Sequence, residues 1–242
     1  MPLFRTAYLL ITVTLLIQAC QKTDDGTVKY QGFTEGFDTV SASVGRGWTL
    51  INASDAMGQG AWGNPTDPPP FDPWSTQSTN KGYLFVDRSS TSSGQGTISN
   101  WVISPERTFR NGDRIVFYTR AQILYYNLDS TDFGNRMQVW LSHSGNSDDV
   151  GLGSNTGQFQ IQLLDINPQY SVFRQSEFLS GTPESRKAYP HRWTRFEVTL
   201  NWLPAPVTGR FAFRYFVEDG GSNGRGSGIG LDEVSYIPVP YP

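Results

Sequence analysis

A single cysteine, at position 20, excludes any intrachain disulfide, so the fold of this chain must rest on its core. Histidine is nearly as scarce. His143 and His191 adjoin turn or loop stretches without metal-ligand spacing, and neither a Gly-x-Ser-x-Gly elbow nor a phosphate-binding glycine loop occurs, so no catalytic constellation can be assembled from motifs. A basic excess is missing too: the formal net charge is -3, which removes the footprint that nucleic-acid binding requires and excludes that partner. After residue 20 no ten-residue window carries a helical stripe. What is plentiful is aromatic residues, at 14%, with glycine and proline, and 37% of the chain is hydrophobic, enough to fold. That is the composition of an all-β protein, and 242 residues suit one large β domain.

The only long apolar run is Ala7-Tyr-Leu-Leu-Ile-Thr-Val-Thr-Leu-Leu-Ile17, behind Arg5. It has signal-peptide length and is too short to span a bilayer. Ile17-Gln-Ala-Cys20 follows, and it resembles a bacterial lipobox, with Gln18 a less usual residue at its position. The resemblance implies a lipoprotein signal peptide over 1–19, cleavage before Cys20 and lipid attachment there, which would hold the protein to a membrane through more than one acyl chain. The polar segment Gln21-Lys-Thr-Asp-Asp-Gly26 reads as a flexible tether, and 20–32 as the anchored cysteine with that tether. It also resembles the short acidic export signal of Bacteroidetes lipoproteins, which implies an outer-membrane protein exposed at the cell surface.

Strand patterns begin with Phe33-Thr-Glu-Gly-Phe-Asp38 and Gly47-Trp-Thr-Leu-Ile-Asn52. A long loop from Ser54 to Gln77 then contains Asn64-Pro-Thr-Asp-Pro-Pro-Pro-Phe-Asp-Pro-Trp74, whose prolines exclude a central strand. Further strands are predicted at 82–86, 96–104, 114–120, 136–142, 158–163 and 192–200, with 125–135 read as a loop and 167–190 as an excursion. Residues 209–217 and 228–236 read as a closing β-hairpin, with Phe211, Phe213, Tyr215 and Val217 on one face and Arg214 on the other. Arg210 and Arg214 are expected as cross-strand partners for acids such as Glu197. About ten antiparallel strands in two sheets indicate a single jelly-roll β-sandwich domain over 33–238, with 239–242 as a tail.

A sugar site needs exposed aromatic faces for stacking, with amide, carboxylate or guanidinium groups for the hydroxyls. Phe71 and Trp74 fit best, held in a rigid segment by the prolines; Tyr125 and Tyr126, beside Asn127 and Asp129, are second. The alternative for each is an aromatic folded back to cap the sandwich. Paired acids such as Asp148-Asp149 lie in polar loops where solvated carboxylates are expected, although a glycosidase pair could be assembled from distant residues.

From Phe33 to Tyr236 the chain resembles the choice-of-anchor J domain family, related to cleaved-adhesin domains and more distantly to MAM domains. The resemblance rests on Glu35-Gly-Phe-Asp38, Gly47-Trp-Thr49, Asn100-Trp-Val-Ile-Ser-Pro105, Gly112-Asp-Arg-Ile-Val-Phe117, Met137-Gln-Val-Trp-Leu-Ser142, Arg192-Trp-Thr194, Gly209-Arg-Phe-Ala-Phe-Arg-Tyr215 and Ile229-Gly-Leu-Asp-Glu-Val234, in the family's order. It implies a jelly roll displayed on the cell surface that binds a glycan or a surface-protein ligand without catalysis. The alternatives are an accessory carbohydrate-binding module of a glycan-uptake system and a glycoside-acting enzyme. The family's calcium-binding positions map onto Glu35, Asp38 and Asp232, and imply a structural Ca2+ ion there. The middle acidic loop of the family is replaced by Asp55-Ala-Met-Gly-Gln-Gly60, which lacks two of its carboxylates. The other reading is that Glu35 and Asp232 accept strand-end N–H groups or pair with an arginine.

Overall fold

The computed structural model describes residues 31–74 and 82–240. The expected signal peptide, Cys20 and nearly all of the tether lie outside the described residues. Among the described residues no helix is long and apolar enough to cross a membrane.

The described chain is an all-β, jelly-roll sandwich of antiparallel strands. The front sheet runs β1 (Phe33–Glu35), β13 (Gly228–Ile237), β6 (Arg114–Ala121), β11 (Thr194–Thr199), with β3 (Leu84–Asp87) also paired to β13. The back sheet runs β10 (Phe159–Ile166), β9 (Met137–Ser142), β12 (Val207–Gly220), β4 (Gly96–Ile103), β2 (Thr49–Asn52), with β5 (Arg107–Phe109) on β12. A small separate ribbon pairs β7 (Leu124–Tyr126) with β8 (Asp129–Thr131). Short helices stand at Val40–Gly45 (α1), Gln175–Ser180 (α2) and Pro183–Arg186 (α3), the last two within the stretch where no period could be read.

Alternation explains the core. Phe211, Phe213, Tyr215 and Val217 of β12, with Met137, Val139 and Leu141 of β9, face Ile115 and Phe117 of β6 and Ile229, Leu231, Val234 and Tyr236 of β13. Each such buried side chain contributes about 1.5–3 kcal/mol relative to exposure. The inward positions of β13 shift phase between Leu231 and Val234, and the register against β6 breaks between Asp232 and Ser235. A β-bulge at this point, with Glu233 at φ 49°, keeps both acids out of the core while the flanking apolar residues stay in it. That is why a core strand tolerates two adjacent carboxylates.

Two expectations are corrected. β12 and β13 do not form a hairpin: they lie in opposite sheets, and the chain from Gly220 to Gly228 crosses the end of the sandwich. Periodicity identifies the buried face of a strand, and two strands facing each other across a core carry the same pattern as two side by side. Arg210 and Arg214 do not pair with Glu197, whose partners are Arg114 and Arg195. The outer face of the back sheet is itself covered by Ala53, Val150 and Phe159 over Trp101, Ile103 and Ala212, and both arginines are buried there. Arg214 bonds the Ser99 hydroxyl and the Gly153 carbonyl and lies over Phe216; Arg210 bonds the carbonyls of Ser104 and Gly47.

Candidate functional site

The proline-rich loop lies across the outer face of the front sheet. Phe71 stacks on Tyr83 with ring centroids 4.9 Å apart, meets Trp193 edge-on at 5.5 Å, and has the Arg120 guanidinium over its ring at 4.3 Å. Tyr83 donates its hydroxyl to the Phe71 carbonyl, and Trp193 donates its indole N–H to the Asp72 carbonyl. Burial pushes the Tyr83 phenol pKa up. Gly230 beneath is required by close approach, since a Cβ there would stand 2.8 Å from both Phe71 and Trp193. Phe71 is therefore a packing residue: both of its faces are occupied, and none is left for a sugar. Trp74 stays 43% exposed, but one face stacks on Tyr118 at 4.3 Å.

The three acids expected to hold calcium are placed as separate acceptors. Glu35 takes two hydrogen bonds from Arg46, Nε to Oε2 at 2.7 Å and Nη2 to Oε1 at 2.6 Å, and accepts from the Ser43 hydroxyl and the Phe37 N–H. Asp38 accepts from the Gly82 N–H, and Asp232, buried beneath the loop, accepts from the N–H groups of Trp74 and Glu233. The bulge turns Glu233 toward Gly36, whose Cβ position would lie 3.5 Å from Glu233 Oε1 and 3.6 Å from Asp38 Oδ2. Calcium wants six to eight oxygens, and a guanidinium already neutralises Glu35. Among the described residues no group of three or more His, Cys, Asp or Glu is placed to hold a metal ion. The set Glu35, Asp38 and Asp232 does not fit one.

The β7–β8 ribbon is the second aromatic region, and here the expected loop proves to be a hairpin. Tyr126 pairs with Asp129 across Asn127 and Leu128, which take φ of 48° and 64°, the left-handed geometry of tight hairpin turns. Its root is fixed from below. Asp132 Oδ1 accepts from the N–H groups of Gly134 and Phe173, and Asp129 accepts from the Ser176 hydroxyl at 2.6 Å, the main cause holding its carboxyl below the usual range. Asp132 Oδ2 is buried without a hydrogen-bond partner, and burial pushes this carboxyl up to about 6.

The ribbon projects its apolar groups outward: Tyr125 is 74% exposed, Tyr126 55% and Leu128 89%. Beside it lies a cleft of about 700 Å3, lined by Arg88, Leu124, Tyr125, Tyr126, Phe133, Ser222, Asn223 and Gly224. Tyr126 braces Phe133 edge-on at 5.4 Å, and the Gly226 N–H donates to the Phe133 carbonyl, tying the crossing chain to the ribbon. None of these lining residues is a carboxylate. Trp74 and Phe71 line no part of this cleft, so the two expected aromatic pairs serve different surfaces. Arg88, Ser222 and Asn223 were not foreseen, because they come from segments far apart in sequence and carry no motif.

No family model matches the sequence, and no curated protein matches it either. Solved structures do. The chain is similar in structure to cleaved adhesin domains. The K1 domain of Lys-gingipain from Porphyromonas gingivalis W83 aligns at 21% identity over 87% of this chain and 99% of that one, with a TM-score of 0.49. Its K3 domain aligns at 17% identity over 85% and 98%, again at 0.49. A family 29 carbohydrate-binding module aligns at 10% identity over 85% and 88%, with a TM-score of 0.34.

Proposed function

We propose that this protein is a non-catalytic binding domain that takes a carbohydrate in the cleft beside the β7–β8 ribbon. The observation that carries the reading is the pair Tyr125 and Tyr126, left exposed on a rigid hairpin at the wall of a cleft that also presents Arg88, Ser222 and Asn223. Aromatic faces supply stacking area at low entropic cost, and the polar groups supply hydrogen bonds to hydroxyls. A glycoside-acting site would need two carboxylates facing the scissile bond, and this cleft wall carries none. His191 gives no alternative centre, since its ring stacks on Phe173 at 4.4 Å and burial lowers its pKa, favouring the neutral form.

The test is a glycan array probed with the full chain carrying Cys20→Ala, with and without Tyr125→Ala and Tyr126→Ala. Binding that weakens tenfold or more in the double variant, by about 1.4 kcal/mol or more, supports the reading; unchanged binding sinks it. A second reading, adhesion to a surface protein, is favoured by Leu128, whose apolar side chain at the ribbon tip is 89% exposed. In either reading the domain works as a lipoprotein, attached through Cys20 to the outer membrane and displayed at the cell surface. Cys20→Ala should move the protein from the membrane to the soluble fraction, and retention in the membrane would refute the anchor.

A further inference from the structure

We infer that the carbohydrate bound in this cleft carries an oxyanion, a carboxylate or a sulfate, and that Arg88 receives it. The inference rests on the reading of the cleft as a sugar site. Arg88 lines the cleft, half-buried, and no hydrogen bond or ion pair joins it to any described residue. Other half-buried arginines are engaged: Arg136 is held by Asp165 at 2.6 Å, and Arg120 by the His191 carbonyl and the Phe71 ring. A guanidinium on the cleft wall without a protein partner keeps its donors available for a ligand oxyanion.

The acids nearby are committed elsewhere. Asp87 caps the Ser89 N–H at 2.9 Å, Asp129 holds Ser176, and Asp219 pairs with Arg225 at 3.2 Å. The cap on Ser89 and the bond from the Ser90 hydroxyl to the Asp87 carbonyl fix the short 3-10 turn that presents Arg88. The cleft wall thus bears one positive charge and no negative one on a chain whose net charge is -3. The field of the whole molecule repels anions, so attraction must be local to this wall. A planar guanidinium takes a carboxylate or sulfate through two parallel hydrogen bonds, with the sugar ring against Tyr125 or Tyr126 and its hydroxyls toward Ser222 and Asn223.

The test is titration calorimetry of the full chain carrying Cys20→Ala with four polymers: polygalacturonate, its fully methyl-esterified form, a sulfated galactan and the same galactan desulfated. The expected result is about tenfold tighter binding to at least one charged polymer than to its neutral counterpart, a preference that Arg88→Gln removes while neutral binding persists. The two charged arms separate a carboxylate from a sulfate. Arg192→Gln, at an exposed arginine away from the cleft, should change nothing. Equal binding to charged and neutral forms overturns the inference, as does binding to neither charged polymer, or a loss in Arg192→Gln as large as in Arg88→Gln. If Tyr125→Ala leaves every affinity unchanged, the carbohydrate reading itself fails.

Discussion

The proline-rich loop and the β7–β8 ribbon carry the same kinds of side chain, and the ribbon leaves more of their surface free. Phe71 and Trp74 lie over a sheet face that offers Tyr83, Tyr118, Trp193 and Arg120 as ready partners, so packing takes both faces of Phe71 and one face of Trp74. Tyr125 and Leu128 stand on a two-stranded ribbon outside both main sheets, tied down at its β8 side through Asp129 and Ser176 but with no sheet face beneath its tip. Each region is anchored by a buried aspartate. Asp232 beneath the loop holds the Trp74 N–H, whereas Asp132 at the ribbon root has one oxygen without a partner. An aromatic residue in a loop stays exposed when the fold beneath it has no complementary face to offer.

The sharpest way to break this comparison is at Asp132. Its folded pKa of about 6 lies above the ordinary 3.8, so between these values the folded state holds more protons than the unfolded one. Stability from this group is therefore greatest in acid, falls as pH rises from about 4 to about 6, and is level above that, a loss of about 3 kcal/mol. Asp132→Asn removes the titration, so urea unfolding at pH 4 and pH 7 should show the variant gaining most of that amount, about 2 kcal/mol, relative to wild type; parallel profiles would refute the assignment. Next comes Phe71→Ala. Replacing a fully buried phenylalanine by alanine costs about 3–5 kcal/mol, cavity included, and at a half-buried ring stacked on Tyr83 the loss should be roughly 2 kcal/mol in urea unfolding, without a change in affinity at the cleft. A loss of affinity with stability intact would return Phe71 to the binding surface.

The sheets were legible because alternation is unambiguous where one face is buried, as in Met137, Val139 and Leu141, or Phe211, Phe213 and Tyr215. The β7–β8 turn was not, because Leu128 sits at φ 64° where glycine is the usual signal. Nor was the placement of Asp232 and Glu233, since a bulge has no periodicity of its own. Tyr125 and Tyr126 stood out as aromatics in a polar stretch, and their exposure was readable to that extent. Arg88 was hidden: the role proposed for it depends on the neighbouring carboxylates being committed to other partners, which spacing along the chain cannot express. The pairing of Glu35 with Arg46 was open to sequence reasoning as the alternative to a metal ligand, and the geometry selects it.

The smallest expected effect is at Leu128, and it separates the two ligand classes. A leucine in the left-handed region carries about 1 kcal/mol of backbone strain, which glycine relieves, while glycine adds roughly 0.5–1 kcal/mol of unfolded-chain entropy. Leu128→Gly should therefore change unfolding stability by less than about 1 kcal/mol. The side chain is almost fully solvated and does not line the cleft, so its removal takes nothing from a sugar bound against Tyr125, Tyr126 and Arg88. A protein partner would instead use an exposed apolar tip as an anchor and lose affinity when it is deleted. Glycan affinity unchanged in Leu128→Gly but lost in Tyr125→Ala places recognition in the cleft, and the reverse order places it on the tip.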